Sequence, residues 1–251
     1  LVHIANTGDF DKISKGTLEE RYYWAVDNEE LILQCGRDYE SSYEIWSQAD
    51  KPFAFLAACQ AFVGYKEQGE DYVCHISPAL DGTNSGIQHF SAMVLNKDDG
   101  HLVNLTNAER PQDIYQAVAT NVETSLKTKT FDTFYKKGAN KKETDKEVET
   151  YRKQWLDYGI TRKTCKRNCM TYGYSSGAFG MADQIVDDLM KPLERERMYG
   201  RIKKHPFGDK HEQEKISQFL ARINYHEIDS LISSVSNAMK FLQAAAGAVS
   251  H

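Results

Sequence analysis

Strand-forming stretches are almost absent from these 251 residues, and that scarcity constrains the fold more than any other feature. Apolar residues recur at helical spacing along most of the chain, and two short runs, 72–80 and 101–105, read as β. Two such runs make at most a small antiparallel sheet, so the expected class is α+β and predominantly helical. Residues 19–36 carry Tyr23, Val26, Leu31 and Cys35 at helical intervals beside a polar face, which predicts one surface helix. Pro52 suits a first helical position, and the nearly continuous apolar run that follows it to Tyr65 predicts a buried helix. Further helices are predicted over 85–95, 111–127, 148–174 with a break near Gly159, and 179–193. A last amphipathic helix is marked by Ile228, Leu231, Ile232, Val235, Met239, Leu242 and Val249. A turn is expected over 96–100, and the charge-dense segments 136–146 and 194–214 are expected to be loops.

The chain is 41% hydrophobic and 27% charged, ordinary values for a globular protein, and long enough for one large domain or two small ones. A net charge of −5 gives no global sign of nucleic-acid binding. Positive charge is instead local: residues 151–170 hold six cations, Arg152, Lys153, Arg162, Lys163, Lys166 and Arg167, against Asp157. The five cysteines are odd in number and mostly set among apolar neighbours, which points to reduced thiols. Cys165 and Cys169 share a helix face, but no second Cys/His pair lies near them, so packing is the default over zinc. No apolar stretch is long enough to span a membrane, and no signal peptide is present. The chain opens at Leu1, without methionine, on a loop-like Asn6-Thr7-Gly8-Asp9, and reads as an excerpt from a longer polypeptide.

Two segments carry chemistry. Asp81 follows the first β-run and is flanked by Gly82 and Gly86, which would let a large ligand approach the backbone. A carboxylate at a strand end suits a divalent metal; turn formation or helix capping is the bland alternative. The second segment is the row Arg162, Lys166 and Tyr174, whose steps of four and eight keep one slowly drifting helix stripe. Such a stripe suits a nucleotide, with phosphates on the cations and the sugar beside the ring. A solvated basic face with Tyr174 in the core is the alternative.

At this point the residues resemble a known family. Asp81-Gly82-x-x-Ser85-Gly86-Ile87-Gln88-His89-Phe90 is similar to motif A of the single-subunit RNA polymerases of bacteriophages, relatives of the mitochondrial enzymes. Arg162, Lys166, Met170-Thr171 and Tyr174, followed by Phe179-Gly180, resemble motif B. Pro111-Gln112-Asp113-Ile114-Tyr115 and Phe53-Ala54-Phe55-Leu56 resemble segments around and between them. The resemblance implies part of a right-hand polymerase, with a palm portion over 1–126 and a fingers portion over 127–251. It implies that Asp81 binds two catalytic Mg2+ ions, helped by the Gly82 carbonyl, and that Arg162 and Lys166 hold the triphosphate. Lys166 would protonate the departing pyrophosphate, and Tyr174 would sit beside the sugar. Tyr115 and Phe179, with Gly180, would line the substrate and template pocket, and Lys12 would be a further phosphate contact. The implied partners are a DNA template, the RNA product and ribonucleoside triphosphates, in the cytoplasm of an infected bacterial host.

The related DNA polymerases share the Arg–Lys–Tyr spacing. That class carries a Glu where this chain has Gly86 and an aromatic residue where it has Met170, so RNA synthesis is expected. Two-metal catalysis needs a second carboxylate, which this family takes from a His-Asp-Ser motif, and no His-Asp dipeptide occurs here. The resemblance therefore implies that another part of the polymerase supplies that Asp, that the promoter-binding domain is absent, and that these residues alone do not polymerise. A catalytically inactive nucleic-acid-binding remnant is the non-enzyme alternative.

Overall fold

The computed structural model describes residues 1–77, 82–138 and 144–249. They fall into two compact units, Leu1–Asp81 with Ala108–Pro111, and Gly82–Asn107 with Gln112–His251. Among the described residues there is helix and no strand.

The first unit holds α1 (Val2–Gly8), α2 (Leu18–Asp27), α3 (Glu29–Arg37), α4 (Tyr43–Trp46) and α5 (Pro52–Gln68). The single helix expected over 19–36 is two, because the Asn28 amide donates to the Trp24 carbonyl at 2.8 Å and closes α2. Thr17 and Glu20 start α2 with a reciprocal capping box. Helix α5 begins at Pro52 as expected, yet its apolar run is not enclosed on all sides. Phe55, Ala58, Cys59 and Phe62 pack with Ile4, Ile32 and Cys35, whereas Phe53 and Tyr65 are exposed. Leu1, Ile4, Phe62, Tyr65, Tyr72 and Ile76 line an apolar cavity of about 580 Å³. The run is therefore divided between core and groove wall.

The second unit begins with α6 (Ser85–Met93), α7 (Lys97–Leu102) and α8 (Ile114–Thr128). It continues through α9 (Asp132–Gly138), α10 (Asp145–Tyr158), α11 (Arg162–Tyr172), α12 (Ala178–Ile185), α13 (Lys191–Met198), α14 (Lys210–Leu231) and α15 (Ser233–Val249). The expected small antiparallel sheet is corrected here. Residues 72–77 have no regular structure, 78–80 lie outside the described residues, and the expected turn and strand over 96–105 are largely helix. Asn96 accepts the Asp99 N–H at 2.9 Å and so caps α7, which local β-propensity at 101–105 cannot override. The expected break near Gly159 is present: Gly159 takes φ 92°, outside the helical range, between α10 and α11. The loop expected over 194–214 is shorter than predicted, since α13 runs to Met198 and α14 starts at Lys210 behind an Asp209/Glu212 capping box; of the loop expected over 136–146, residues 139–143 lie outside the described residues. The last amphipathic stretch spans two helices, α14 and α15, that meet at Ile232.

Helix α14 lies at the centre of this unit. Ile216, Phe219, Leu220 and Ile223 are buried with Trp155, Phe131, Met181 and Val122. The Trp155 indole N–H is satisfied by the Ile216 carbonyl at 3.0 Å, as burial of that group requires. The units part at 81/82, while position 126/127, the expected palm–fingers boundary, lies inside α8.

Candidate functional site

Helix α11 has two faces of opposite character. Cys165, Asn168, Cys169 and Tyr172 are buried, and Arg162, Lys166 and Met170 follow at steps of four on the outer side, with Met170 43% exposed. Burial pushes the Cys165 and Cys169 thiols up to about 12, so both pack as neutral side chains. Their expected packing role holds, and among the described residues no group of His, Cys, Asp or Glu is arranged to hold a metal ion.

Arg162 is positioned from α8. Its Nε donates to Asp113 Oδ2 at 2.6 Å, and its guanidinium lies 4.8 Å from the centre of the Tyr115 ring. Lys166 Nζ lies 5.9 Å from the same ring. Both cations lie within reach of the same ring, whose negative quadrupole attracts each of them. Tyr115 is 6% exposed, and its ring lies against both cations. Asp113 also caps α8, its Oδ1 accepting the N–H groups of Tyr115 and Gln116 at 3.1 and 3.2 Å. Asn104 ties the entry to α8 back to the loop before α6, donating to the Gln112 carbonyl at 2.9 Å and to Thr83 Oγ1 at 3.0 Å.

Helix α6 meets the far end of α11. Asn84, buried at φ 60°, accepts the Ile87 N–H and donates to the Cys169 carbonyl at 2.9 Å. Only small residues allow the next contact: a Cβ on Gly86 would lie 3.3 Å from Gly173 Cα, and one on Gly173 would lie 3.1 Å from Gly86 Cα. The backbone that a Cβ on Gly86 would meet is therefore that of Gly173.

The stripe does not continue as regular helix to Tyr174. The N–H groups of Ser175 and Ser176 return to the carbonyls of Tyr172 and Thr171, with Ser175 at φ 66°, a Schellman closure of α11. Tyr174 sits in that closing turn, 69% exposed, with its hydroxyl 2.8 Å from Ser85 Oγ. Its ring is thus outside the core, against the bland reading of the sequence. Phe179 is 76% exposed at the start of α12, next to Gly180. Asp81 lies outside the described residues, and Gly82 is exposed at the edge of this loop. Lys12 belongs to the other unit, in an irregular turn at φ 59°.

The structure thus gathers Arg162, Lys166, Tyr115, Met170, Tyr174 and Gly86 along α11 and adds residues that the sequence did not single out as functional. Asp113 had a readable signal, an acid in the first turn of the helix predicted over 111–127. Ser85 stood only as a member of the motif A resemblance, and Gly173 had no signal, because their partners lie far away in sequence.

The whole chain, residues 1–251, matches the family model for DNA-dependent RNA polymerase, and the chain belongs to that family. It is 31% identical over 255 residues to the T7 RNA polymerase of Escherichia phage T7, covering 98% of this chain and 27% of that protein. It is 36% identical over 200 residues to the DNA-directed RNA polymerase of Enterobacteria phage T3, covering 76% of this chain and 22% of that protein. A mitochondrial DNA-directed RNA polymerase of Schizosaccharomyces pombe is 30% identical over 190 residues, covering 75% of this chain and 15% of the relative. The chain spans about a quarter of the length of the phage relatives it matches.

Proposed function

We propose that this chain forms the nucleotide-binding part of a polymerase that copies a DNA template into RNA. The observation that carries the reading is the outward row of half-buried Arg162 and exposed Lys166 and Met170 on α11, which ends at the turn bearing Tyr174. At about 1.5 Å per residue, Arg162 to Met170 spans about 12 Å, the scale of a nucleoside triphosphate. Phosphoryl transfer depends on positioning and charge neutralisation more than on covalent help from the protein. In this reading Arg162 and Lys166 hold the phosphates, and Lys166 gives a proton to the departing pyrophosphate. Tyr174 faces the sugar, and Phe179 and Gly180 face the template strand. Lys12 is a further phosphate contact.

The cofactor in this reading is a pair of Mg2+ ions held through Asp81 and the Gly82 carbonyl, which would neutralise charge on the triphosphate. The described residues do not complete such a site. Asp99 is buried and accepts the Val235 N–H at 3.1 Å, so it is committed to the start of α15. The second carboxylate is therefore assigned to another part of the polymerase. Ribose is favoured over deoxyribose in this reading because Gly86 stands where the related DNA polymerases carry a Glu and Met170 where they carry an aromatic residue. The phage relatives support an infected bacterial cell as the setting. Among the described residues no helix is long and apolar enough to cross a membrane.

Titration of this chain with a ribonucleoside triphosphate tests the reading directly. Arg162→Ala and Lys166→Ala should each weaken binding about tenfold or more, as expected for a lost charge-assisted bond. An affinity unchanged from the parent in both variants would overturn it and favour an inactive remnant. In the form of the protein that extends a primer, Asp81→Ala should abolish extension and Tyr174→Phe should relax discrimination against deoxynucleotides. Primer extension that survives Asp81→Ala would sink the metal assignment.

A further inference from the structure

Tyr172 lies two residues before Tyr174 and points the opposite way, into the core of the second unit, where it is 2% exposed. Its hydroxyl donates to Asp229 Oδ1 at 2.7 Å and lies 2.8 Å from Ser236 Oγ. Ser236 in turn reaches the Asp229 backbone carbonyl at 3.0 Å. Lys240 Nζ stands 2.8 and 2.9 Å from the two carboxylate oxygens of Asp229. One residue beyond Tyr174, Ser175 Oγ accepts from Gln243 Nε2 at 3.1 Å. The corner between α14 and α15 therefore grips the closing turn of α11 on both sides of Tyr174, while Tyr174 itself reaches Ser85.

The chemistry of this grip is specific. A phenylalanine would fill nearly the same volume at position 172, so the buried hydroxyl is retained at a desolvation cost that only its partners offset. Burial pushes Asp229 up, but the bonds from Lys240 and Tyr172 outweigh it and hold the carboxyl below its ordinary value. The acceptor therefore stays ionised, which strengthens the bond from Tyr172.

We propose that Tyr172 and Asp229 are positioning residues: they fix the turn that closes α11 and thereby hold the Tyr174 ring where it meets the sugar. This rests on the reading of Tyr174 as the sugar-side residue. Neither residue touches the nucleotide. Their effect passes through Gly173 and Ser175, which flank Tyr174 in the chain.

The test uses Tyr172→Phe and Asp229→Asn, with Gln243→Ala as a milder variant on the exposed side that leaves the buried network intact. In the primer-extending form of the protein, each of the first two should lower the ribo-over-deoxy ratio of kcat/KM about fivefold, the scale of one lost hydrogen bond. Combining Tyr172→Phe with Tyr174→Phe should lower it no further than Tyr174→Phe alone, because the two act through one ring. In the 251-residue chain, amide exchange at 173–176 should rise about tenfold in Tyr172→Phe, rise less in Gln243→Ala, and stay unchanged across α8. A lowered melting temperature with an unchanged ratio would overturn the proposal and leave a merely structural bond. If Tyr174→Phe itself leaves the ratio unchanged, the sugar-side reading fails. The anchoring of the turn then stands on exchange at 173–176 alone, and unchanged exchange there would overturn it.

Discussion

Gly173 and Gly86 face each other with backbone against backbone, so neither neighbour can swing aside as a side chain would. Gly173→Ala places a methyl 3.1 Å from Gly86 Cα, and we expect a loss of about 1–3 kcal/mol in urea denaturation, as for overpacking. Gly86→Ala should cost less, because its contact is 3.3 Å and alanine returns about 1 kcal/mol of helix propensity on α6. A Gly173→Ala protein as stable as the parent would show that the end of α11 is slack. The thiols give a second prediction at this scale. Cys74 is exposed and Cys35, Cys59, Cys165 and Cys169 are buried, so a thiol reagent should modify one group in the native protein and five after unfolding. Burial pushes Cys59, Cys165 and Cys169 up to about 12, above their ordinary value near 9. Above that ordinary value the unfolded chain releases protons that the native state keeps, so stability should fall as pH climbs from about 9 toward 12. Denaturation midpoints that stay level between pH 8 and about 10.5 would count against this burial.

At the scale of elements, the motif residues act through the helices that carry them. Asn84 starts α6, accepts from Ile87 and ties the loop to the Cys169 carbonyl on α11, all from a left-handed backbone. Asn84→Ala should cost about 2–4 kcal/mol, combining a lost cap, an unsatisfied partner and a left-handed alanine. Asn84→Gly relieves the backbone term and should cost less. The same stability for both, measured by urea denaturation, would mean that the backbone conformation contributes nothing. Helix content was legible in the sequence wherever apolar spacing was long and regular, as in α8, α10 and α11. The single helix read over 19–36 missed the break at Asn28 because periodicity persists across it. The strand read at 101–105 failed because the Asn96 cap, a local hydrogen bond, outweighs a weak preference for β.

At the scale of the whole molecule, stability in the second unit should depend on α14. Phe219 is fully buried and its ring meets those of Phe131 and Tyr135 at 5.5 and 5.1 Å, whereas Phe241 on α15 is exposed. Phe219→Ala should cost about 3–5 kcal/mol and Phe241→Ala within about 0.5 kcal/mol, again by urea denaturation. Comparable losses would place the core elsewhere. The sequence by itself determined the chemical inventory: cations at steps of four, a tyrosine beyond them, an aspartate followed by two nearby glycines, and a mostly helical chain. Those features are local, so spacing and residue type suffice to read them. Tertiary structure decided which of them meet. Arg162 finds Asp113, Tyr174 finds Ser85, and Tyr172 finds Asp229 across separations of 49, 89 and 57 residues. Periodicity tells which face of a helix is turned inward, but not which distant helix covers it, because that choice belongs to the packing of the whole unit.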